Sequence, residues 1–226
     1  MNERELLITG DGSATIAIPD MQVTYHSRHG AIQESMHVFI EAGLRPLLHQ
    51  HPVLRVFEMG FGTGLNALLT LQVAAQAQQR VQYGAVEAFP LEAGITNQLN
   101  YAAQLQRPDL QPVFEQLHGS EWNSLVAIDD VFTLQKFQTT LFSLPAIDPV
   151  HLIYYDAFAP NAQPELWTTE AFTLLYNLLL PGGILVTYCS KGNVRRAMQA
   201  AGFTVEKIPG PLGKREMVRA HRPPAK

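Results

Sequence analysis

The first 50 residues alternate apolar and polar positions and then change to a helical spacing. The segment "LLITGDGSATIAIPDMQVTYHS" (6–27) alternates like short antiparallel strands, and its Gly-Asp-Gly and Pro-Asp pairs predict turns. The following "GAIQESMHVFIEAGLRPLL" (30–48) places Ile32, Met36, Phe39, Ile40 and Leu44 on one helical face. We expect residues 1–50 to form a β-strand and helix extension that acts as a lid and does not fold independently.

From residue 51 onward, short β-branched runs alternate with helical segments. The predicted strands are "VLRVFEMG" (53–60), "VQYGAVEAF" (81–89), "VFTLQKFQ" (131–138), "VHLIYYD" (150–156) and "ILVTYC" (184–189). The predicted helices cover 64–79, about 90–105, 166–180 (closed by "PGG") and 193–202, and "TVEKIPG" with "REMVRAH" predicts a terminal hairpin. Such alternation predicts an α/β fold with a mostly parallel sheet over residues 51–226, and no second domain.

Composition narrows the class of protein. The chain has 226 residues of which 46% are hydrophobic, enough for one substantial core. Its one cysteine, Cys189, excludes an internal disulfide framework and fits a reducing compartment. The charged start "MNERELLITG" is unlike a signal peptide, and the most apolar stretch is interrupted by Pro181, Gly182 and Gly183. We therefore expect a soluble cytoplasmic protein with no membrane partner.

Charge is distributed unevenly along the chain. The net charge is −4, but residues 191–226 hold nine Lys/Arg and two Glu, a balance of +7, which leaves −11 on residues 1–190. This asymmetry indicates an anion-facing end on an acidic body. A solvated basic tail without a partner is the alternative.

The segment "FEMGFGTGLNAL" (57–68) joins the first strand of the α/β region to its first long helix. Gly60, Gly62 and Gly64 allow the backbone to turn sharply and approach a ligand at the helix N-terminus. Their G-x-G-x-G spacing differs from the dinucleotide pattern G-x-G-x-x-G. Glu58 would repel a pyrophosphate but suits an ammonium and a sulfonium. The segment thus favours S-adenosyl-L-methionine over NAD, with a tight turn that binds nothing as the alternative.

Two further strand ends carry candidate site residues. Glu87 follows the second strand, where an acid accepts hydrogen bonds from ribose hydroxyls in nucleoside-binding folds, and Phe89 is placed to lie on the adenine. Asp156 follows "VHLIYY" at the carboxyl edge of the sheet, where it can hydrogen-bond to or deprotonate an amine nucleophile. Phe158 and Pro160 would form an apolar wall for a planar base. A strand-end acid without a role is the alternative for Glu87.

Histidines cluster near the N-terminus. His26, His29 and His37 lie within twelve residues, followed by His49 and His51. No cysteine or pair of acids completes a metal-binding set at ligand spacing. We expect polar lid or surface histidines and no metal site.

Several motifs together resemble one family of enzymes. They are "EMGFGTGLN", "DAFAP", "LW", "PGGILVTY", "VRRAMQAAGF" and "GKREM", with "YHSRHGAIQESMHVFI" near the N-terminus as in stand-alone members. This set, from about residue 20 to 219, is similar to the methyltransferases of tRNA wobble-uridine modification. The resemblance implies a class I methyltransferase fold, Rossmann-like, with helices on both faces and a C-terminal antiparallel hairpin. It also implies methylation of 5-aminomethyl-(2-thio)uridine in tRNA to 5-methylaminomethyl-(2-thio)uridine.

The resemblance also assigns roles to residues. It implies that Asp156 acts at the target amine, and that His29, Lys214 and Arg215 lie near the substrate. The cofactor would be lined by Glu58, Gly60, Gly62, Gly64, Asn66 and Glu87. Where relatives have a Gly-Asp pair facing the adenine amino group, this chain has Thr139, whose hydroxyl can accept the same hydrogen bond without charge.

The same resemblance suggests a partner. Many members are fused to an FAD-dependent oxidase, and because this sequence shows no second glycine fingerprint, only methyl transfer is expected of it. A separate oxidase is then a candidate partner besides tRNA.

Two other functions compete with this one. An aminopropyltransferase of the spermidine synthase type also uses a sheet-edge aspartate and a related nucleoside, but it needs further acids to hold a polyamine. A non-catalytic scaffold that binds S-adenosyl-L-methionine and assists a tRNA-modifying partner is the third interpretation; the glycine loop and Asp156 argue against it.

Overall fold

The N-terminal part of the protein forms a small sheet followed by one irregular helix. The computed structural model describes residues 3–224. Strands β1 (Glu5–Ile8), β2 (Ala14–Ile18) and β3 (Val23–Thr24) pair antiparallel in that order. Helix α1 (Ala31–Ser35) continues into a π-helical segment, Met36–Leu44, and ends in a 3-10 turn, Arg45–Leu47. The predicted strands and helix of residues 1–50 are therefore present.

The rest of the chain is organised around an eight-stranded sheet. Its strands are β4 (Val53–Met59), β5 (Arg80–Val86), β6 (Leu125–Ala127), β7 (Phe132–Phe137), β8 (Val150–Tyr155), β9 (Leu179–Thr187), β10 (Thr204–Pro209) and β11 (Glu216–His221). The order across the sheet is β10-β11-β9-β8-β4-β5-β7-β6. Strands β7, β5, β4, β8 and β9 run parallel, while β6, β11 and β10 are antiparallel to their neighbours. The predicted mostly parallel sheet and C-terminal hairpin are confirmed.

Helices cover both faces of this sheet. They are α2 (Leu65–Ala77), α3 (Ala93–Thr96), α4 (Tyr101–Gln104), α5 (Gln111–Gly119), α6 (Thr169–Leu178) and α7 (Gly192–Ala200). Tyr154 packs with the α2, α5 and π-helical side of the core, whereas the next residue, Tyr155, packs with the α6 and α7 side. This alternation follows from the period of two along a strand, and it explains why β8 is apolar throughout.

The π-helical segment lies directly against the sheet. A Cβ atom on Gly43 would meet Val186 at 3.0 Å and both Leu152 and Tyr154 at 3.3 Å. Glycine at this position therefore allows the helix to approach β8 and β9 closely. The result ties residues 31–47 to the sheet and fixes their position relative to the strand ends.

Two predicted helices differ from the observed ones. The expected helix over 90–105 is replaced by the short α3 and α4, because Asn100 between them accepts from the Ala14 N–H at 2.8 Å and donates to the Gly12 carbonyl at 3.0 Å. The expected helix over 166–180 begins as a 3-10 turn, Pro164–Trp167, and α6 ends at Leu178. Tertiary hydrogen bonds overrode local propensity in the first case.

The "PGG" segment lies inside β9 and does not simply terminate α6. The Gly182 N–H donates to the Arg222 carbonyl at 2.9 Å, and the Arg222 N–H donates to the Gly183 carbonyl at 3.0 Å. These bonds extend the strand through the glycines. Across residues 3–224, no helix combines the length and apolarity that crossing a membrane requires.

The chain order of the strands creates a crevice. From β4 the chain moves to β5 on one side, and later returns to β8 on the other side of β4. The connections that follow β4 and β8 therefore leave in opposite directions, and the gap between the two strand ends is a topological switch point, where ligands bind in open α/β sheets. Glu58 is the next-to-last residue of β4, and Asp156 directly follows β8.

Candidate active site

The glycine loop between β4 and α2 is held in a conformation that favours glycine. Gly60, Gly62 and Gly64 have φ of 90°, 50° and 72°, a region that L side chains rarely adopt. A Cβ on Gly64 would also lie 2.9 Å from His118 Nε2. The Gly60 N–H donates to the Val86 carbonyl at 3.0 Å, so the loop is attached to the end of β5.

A cavity of about 450 Å³ opens at the carboxyl ends of β4, β5, β7 and β8. Eight of the predicted site residues line it: Gly60, Gly62, Asn66, Glu87, Phe89, Thr139, Asp156 and Phe158. Ile18 at the end of β2 and Met21 in the turn before β3 also line it, as do Tyr25 and His26, which follow β3. A site made of strand ends is thus covered by residues from the first 26 positions.

One amide group joins two carboxyls at the base of this cavity. Asn66 Nδ2 donates to Glu58 Oε1 at 2.8 Å and to Asp156 Oδ2 at 2.9 Å. The side chain of Asn66 reaches both because α2 begins beside the ends of β4 and β8. Glu58 is only 1% exposed and lies behind the cavity, so it supports the site from beneath.

Burial changes the acidity of both carboxyls. Burial raises the pKa of Glu58 well above its usual range, and the hydrogen bond from Asn66, which lowers this pKa, only partly opposes the rise. Burial also raises the pKa of Asp156 to about 7, with a further rise from nearby Glu34 and opposing effects from Asn66 and Lys214. A carboxyl that titrates near neutral pH can accept a proton from a substrate and release it again.

The nucleoside end of the cavity is formed by the residues after β5 and β7. Glu87 accepts from the Gly62 N–H at 3.0 Å and from the Phe89 N–H at 2.9 Å. Phe89 is 69% exposed at the rim, and Arg4 donates to its carbonyl at 2.7 Å. Thr139 lines the cavity, with its hydroxyl 3.5 Å from the Ser143 carbonyl.

The loop after Asp156 provides an aromatic wall on the other side. The ring of Phe158 meets Tyr25 edge to face, with centroids 5.0 Å apart, and its backbone carbonyl accepts from Trp167 Nε1 at 2.8 Å. Pro160 is buried and does not line the cavity. Tyr25 was not among the predicted residues.

A second polar group lies beyond Asp156, formed by distant parts of the chain. Lys214 Nζ forms an ion pair with Glu34 Oε1 at 2.6 Å and lies 4.1 Å from the centroid of the Tyr188 ring. His29 belongs to the same region, because a Cβ on Gly213 would lie 2.5 Å from its ring. The structure therefore brings His29 and Lys214 together, although neither lines the main cavity.

Three basic residues near the C-terminus form ion pairs with acids of the same chain, and a fourth donates to backbone carbonyls. Lys207 pairs with Glu216 at 2.8 Å, and Arg219 pairs with Glu206 at 2.5 Å. Lys214 is held by Glu34, and Arg222 donates to the Tyr176 and Leu179 carbonyls. Lys191, Arg196 and Arg215 are exposed. The Lys191 ammonium donates to Asn161 in the loop after Asp156 at 3.0 Å.

The chemistry of the cavity suits S-adenosyl-L-methionine. Glu87 and Asp156 line it with carboxyl oxygens, and the buried Asn66 Oδ1 has no hydrogen-bond partner among residues 3–224. Acceptors of this kind match an ammonium and ribose hydroxyls, whereas the same acids would repel a diphosphate. In the part of the chain that the structure describes, no group of three or more His, Cys, Asp and Glu is arranged to hold a metal ion.

Sequence reasoning missed Tyr25, Glu34 and Tyr188. Tyr188 directly follows β9, so it has the same strand-end position that identified Asp156. Glu34 lies in "GAIQES", five positions after His29, but nothing in its spacing distinguishes it from a surface acid. Only the fold shows that it is buried beside Lys214, 180 positions away.

Comparisons with known proteins show which family this chain resembles. Residues 122–223 match the model of a family described as S-adenosyl-L-methionine-dependent methyltransferases. The chain is 33% identical over 228 aligned positions to the tRNA 5-methylaminomethyl-2-thiouridine biosynthesis bifunctional protein MnmC of Pseudomonas savastanoi pv. phaseolicola, covering 92% of this chain and 34% of that protein. It is 36% identical to the protein of the same name from Pseudomonas entomophila, covering 84% of this chain and 31% of that protein.

A solved structure matches the whole fold. The crystal structure of MNMC2 from Aquifex aeolicus superposes with a TM-score of 0.79 at 22% identity, covering 100% of this chain and 74% of that one. The chain spans about a third of the length of the curated relatives that it matches. Together these matches confirm the fold class and the resemblance that the sequence motifs indicated.

Proposed function

We propose that this chain, an S-adenosyl-L-methionine-dependent methyltransferase related to the MnmC proteins, methylates the primary amine of 5-aminomethyl-(2-thio)uridine at the tRNA wobble position. The product is 5-methylaminomethyl-(2-thio)uridine. The observation that carries the proposal is Asp156, a carboxyl with a pKa of about 7 at the switch point, directly beside a cavity with acceptors for the cofactor.

The cofactor is held by the loop and the strand ends. Gly60, Gly62 and Gly64 allow close approach of the backbone, and Gly64 precedes the first turn of α2. Asn66 accepts from the ammonium of the cofactor, Glu87 from its ribose hydroxyls and Thr139 from its adenine amine, while Phe89 covers the adenine. When bound, S-adenosyl-L-methionine supplies an electrophilic methyl group, whose bond to sulfur breaks as the bond to nitrogen forms.

Asp156 prepares the nucleophile. A primary amine is protonated at neutral pH and has no free lone pair, so one proton must leave before the transfer. Asp156 in its carboxylate form accepts that proton and orients the nitrogen, while Asn66 keeps the carboxylate in place through its hydrogen bond. The loop residue Phe158 holds the planar base against the wall of the cavity.

The N-terminal part acts as a lid, and the basic residues at the rim contact tRNA. Residues 1–50 cover the cavity through Ile18, Met21 and Tyr25, and they belong with residues 51–226 as one folding unit. Lys191 and Arg215 contact backbone phosphates, and His29 lies at the entrance. The curated relatives are named bifunctional and are about three times longer, and we propose that an FAD-dependent oxidase supplies the substrate amine.

The test is transfer of a labelled methyl group from S-adenosyl-L-methionine into tRNA that lacks this modification, followed by nucleoside analysis. Label in 5-methylaminomethyl-2-thiouridine is expected from the native protein. The Asp156→Ala variant is expected to lose turnover and keep cofactor binding in a calorimeter. Cofactor binding by the native protein without any labelled nucleoside would contradict the proposal and favour a scaffold.

A further inference from the structure

Lys214 is held in a site that fits a primary ammonium. Its Nζ lies 2.6 Å from Glu34 Oε1 and 4.1 Å from the centroid of the Tyr188 ring. The side chain of Glu34 is only 9% exposed, and its second carboxyl oxygen accepts from the Ser27 N–H at 2.6 Å. A buried carboxylate together with an aromatic face is a strong site for an alkylammonium, because the cation is both paired and stacked.

This site is attached to the loop that carries Asp156. The Tyr188 hydroxyl donates to the carbonyl of Ala157, the next residue along the chain, at 2.9 Å. Tyr188 follows β9 and Asp156 follows β8, and these strands are neighbours in the sheet. The ring that covers the Lys214 ammonium is therefore anchored beside the carboxyl that we assign to the substrate amine.

We propose that Glu34 and the Tyr188 ring bind the protonated aminomethyl group of the substrate, and that Lys214 occupies this position until the substrate displaces it. The inference rests on the proposed function and identifies how that site selects a primary amine. Lys214 and the substrate carry the same chemical group, an ammonium on a methylene carbon, so one can replace the other without leaving Glu34 buried and unpaired.

The proton balance of this exchange is complete. The substrate binds Glu34 as an ammonium and transfers one proton to the carboxylate of Asp156. The neutral amine then accepts the methyl group, and the positive charge of the sulfonium passes to the nitrogen of the secondary ammonium. Lys214, whose side chain is 35% exposed, is able to return to Glu34 as the product leaves.

A uridine without the aminomethyl group gains nothing from this site. It offers no cation to Glu34, so Lys214 stays paired there and the site adds nothing to the binding of that tRNA. The site therefore discriminates between substrate and unmodified tRNA at the binding step.

The experiment compares two tRNAs across two charge-removing variants. Equilibrium Kd values would be measured for tRNA carrying 5-aminomethyluridine and for the same tRNA with unmodified uridine, with the native protein, Glu34→Gln and Lys214→Met. The matched controls are Glu216→Gln and Lys207→Met, which remove the same charges from an ion pair on the β10–β11 hairpin, 2.8 Å apart.

Glu34→Gln is expected to reduce the preference for aminomethyl tRNA by about tenfold to a hundredfold, the range for one charged hydrogen bond. Its binding of unmodified tRNA should match that of Glu216→Gln. Lys214→Met should bind aminomethyl tRNA more tightly than Lys207→Met does, because no competing ammonium remains.

An unchanged preference in Glu34→Gln would overturn the inference. The inference would also fail if Lys214→Met weakened the binding of both tRNAs equally, and by more than Lys207→Met does. That result would mean that Lys214 contacts a tRNA phosphate. A native protein that shows no preference and transfers no methyl group would instead refute the proposed function itself, and the inference with it.

Discussion

Removal of the Asn66 side chain should move the pH dependence of the enzyme upward. Asn66 Nδ2 donates to Asp156 Oδ2 at 2.9 Å, and this hydrogen bond lowers the pKa of Asp156, which burial raises to about 7. In Asn66→Ala the carboxylate loses its donor while the surrounding burial remains. Its protonated form is then favoured further, and the pH at which half of the enzyme is active should rise.

The size of the effect follows from the strength of the hydrogen bond. A hydrogen bond to a charged group contributes about 1.5–3 kcal/mol, and one pKa unit corresponds to about 1.4 kcal/mol. The midpoint should therefore rise by about one to two pH units. At pH 7 the ionised fraction of Asp156 would fall from about a half to between a tenth and a hundredth.

The assay is kcat/KM for tRNA methylation between pH 5.5 and 10, with saturating S-adenosyl-L-methionine. The substrate amine ionises in the same way with every variant. A difference in pH midpoint between the variants therefore reflects the ionisation of a group on the enzyme. Asn100→Ala is the matched control, because it also removes two hydrogen bonds of an asparagine, here a partly buried one bonded to the backbone of the N-terminal segment. If activity of Asn66→Ala stayed low at pH 9.5, or its midpoint did not rise, the role assigned to this amide would be wrong.

Three further predictions concern stability. Asp156→Asn should abolish methyl transfer and raise the melting temperature increasingly between pH 4 and 7. The reason is that the folded protein keeps a proton on Asp156 up to its pKa of about 7, whereas the unfolded chain releases it near the ordinary pKa of 3.8; a constant difference in melting temperature would contradict this. Gly64→Ala should lower the free energy of unfolding by about 1–3 kcal/mol in urea titrations, given its positive φ and the contact with His118, whereas no loss would show that the loop relaxes. The native protein should gain stability as pH rises from about 8 towards 10, because burial lowers the pKa of Lys136 to about 8 and the folded protein then binds fewer protons than the unfolded chain. Lys136→Met should remove this gain, and thermal unfolding at each pH would show whether it does.

The strand ends were predictable from sequence because each carries its own signal. An apolar run that stops at an acid, as at Asp156 and Glu87, identifies both the strand and the edge of the sheet. Three alternating glycines before a helix identify the loop that approaches a ligand. These signals are local, and the structure places Asp156, Glu87, Gly60 and Gly62 around one cavity, while Gly64 directly precedes α2.

The second polar group was not predictable in the same way. Glu34 and Lys214 are 180 positions apart, and each is unremarkable in its own segment. Their pairing depends on the packing of the N-terminal helix against β8 and β9 and on the β10–β11 turn. The charge balance of +7 for residues 191–226 also could not show that Lys214 is paired with Glu34, an acid from the N-terminal part of the chain.

The π-helical segment Met36–Leu44 has a consequence for how this site can vary. A π-helix holds one more residue than an α-helix of the same length, and such segments are frequent at functional sites. Deleting one residue from this segment would change the orientation of Glu34 relative to Gly43, which is fixed against the sheet. Every side chain would keep its chemistry, yet the carboxylate would point elsewhere. The length of this segment therefore sets the position of the Glu34 carboxylate as much as the identity of any residue within it.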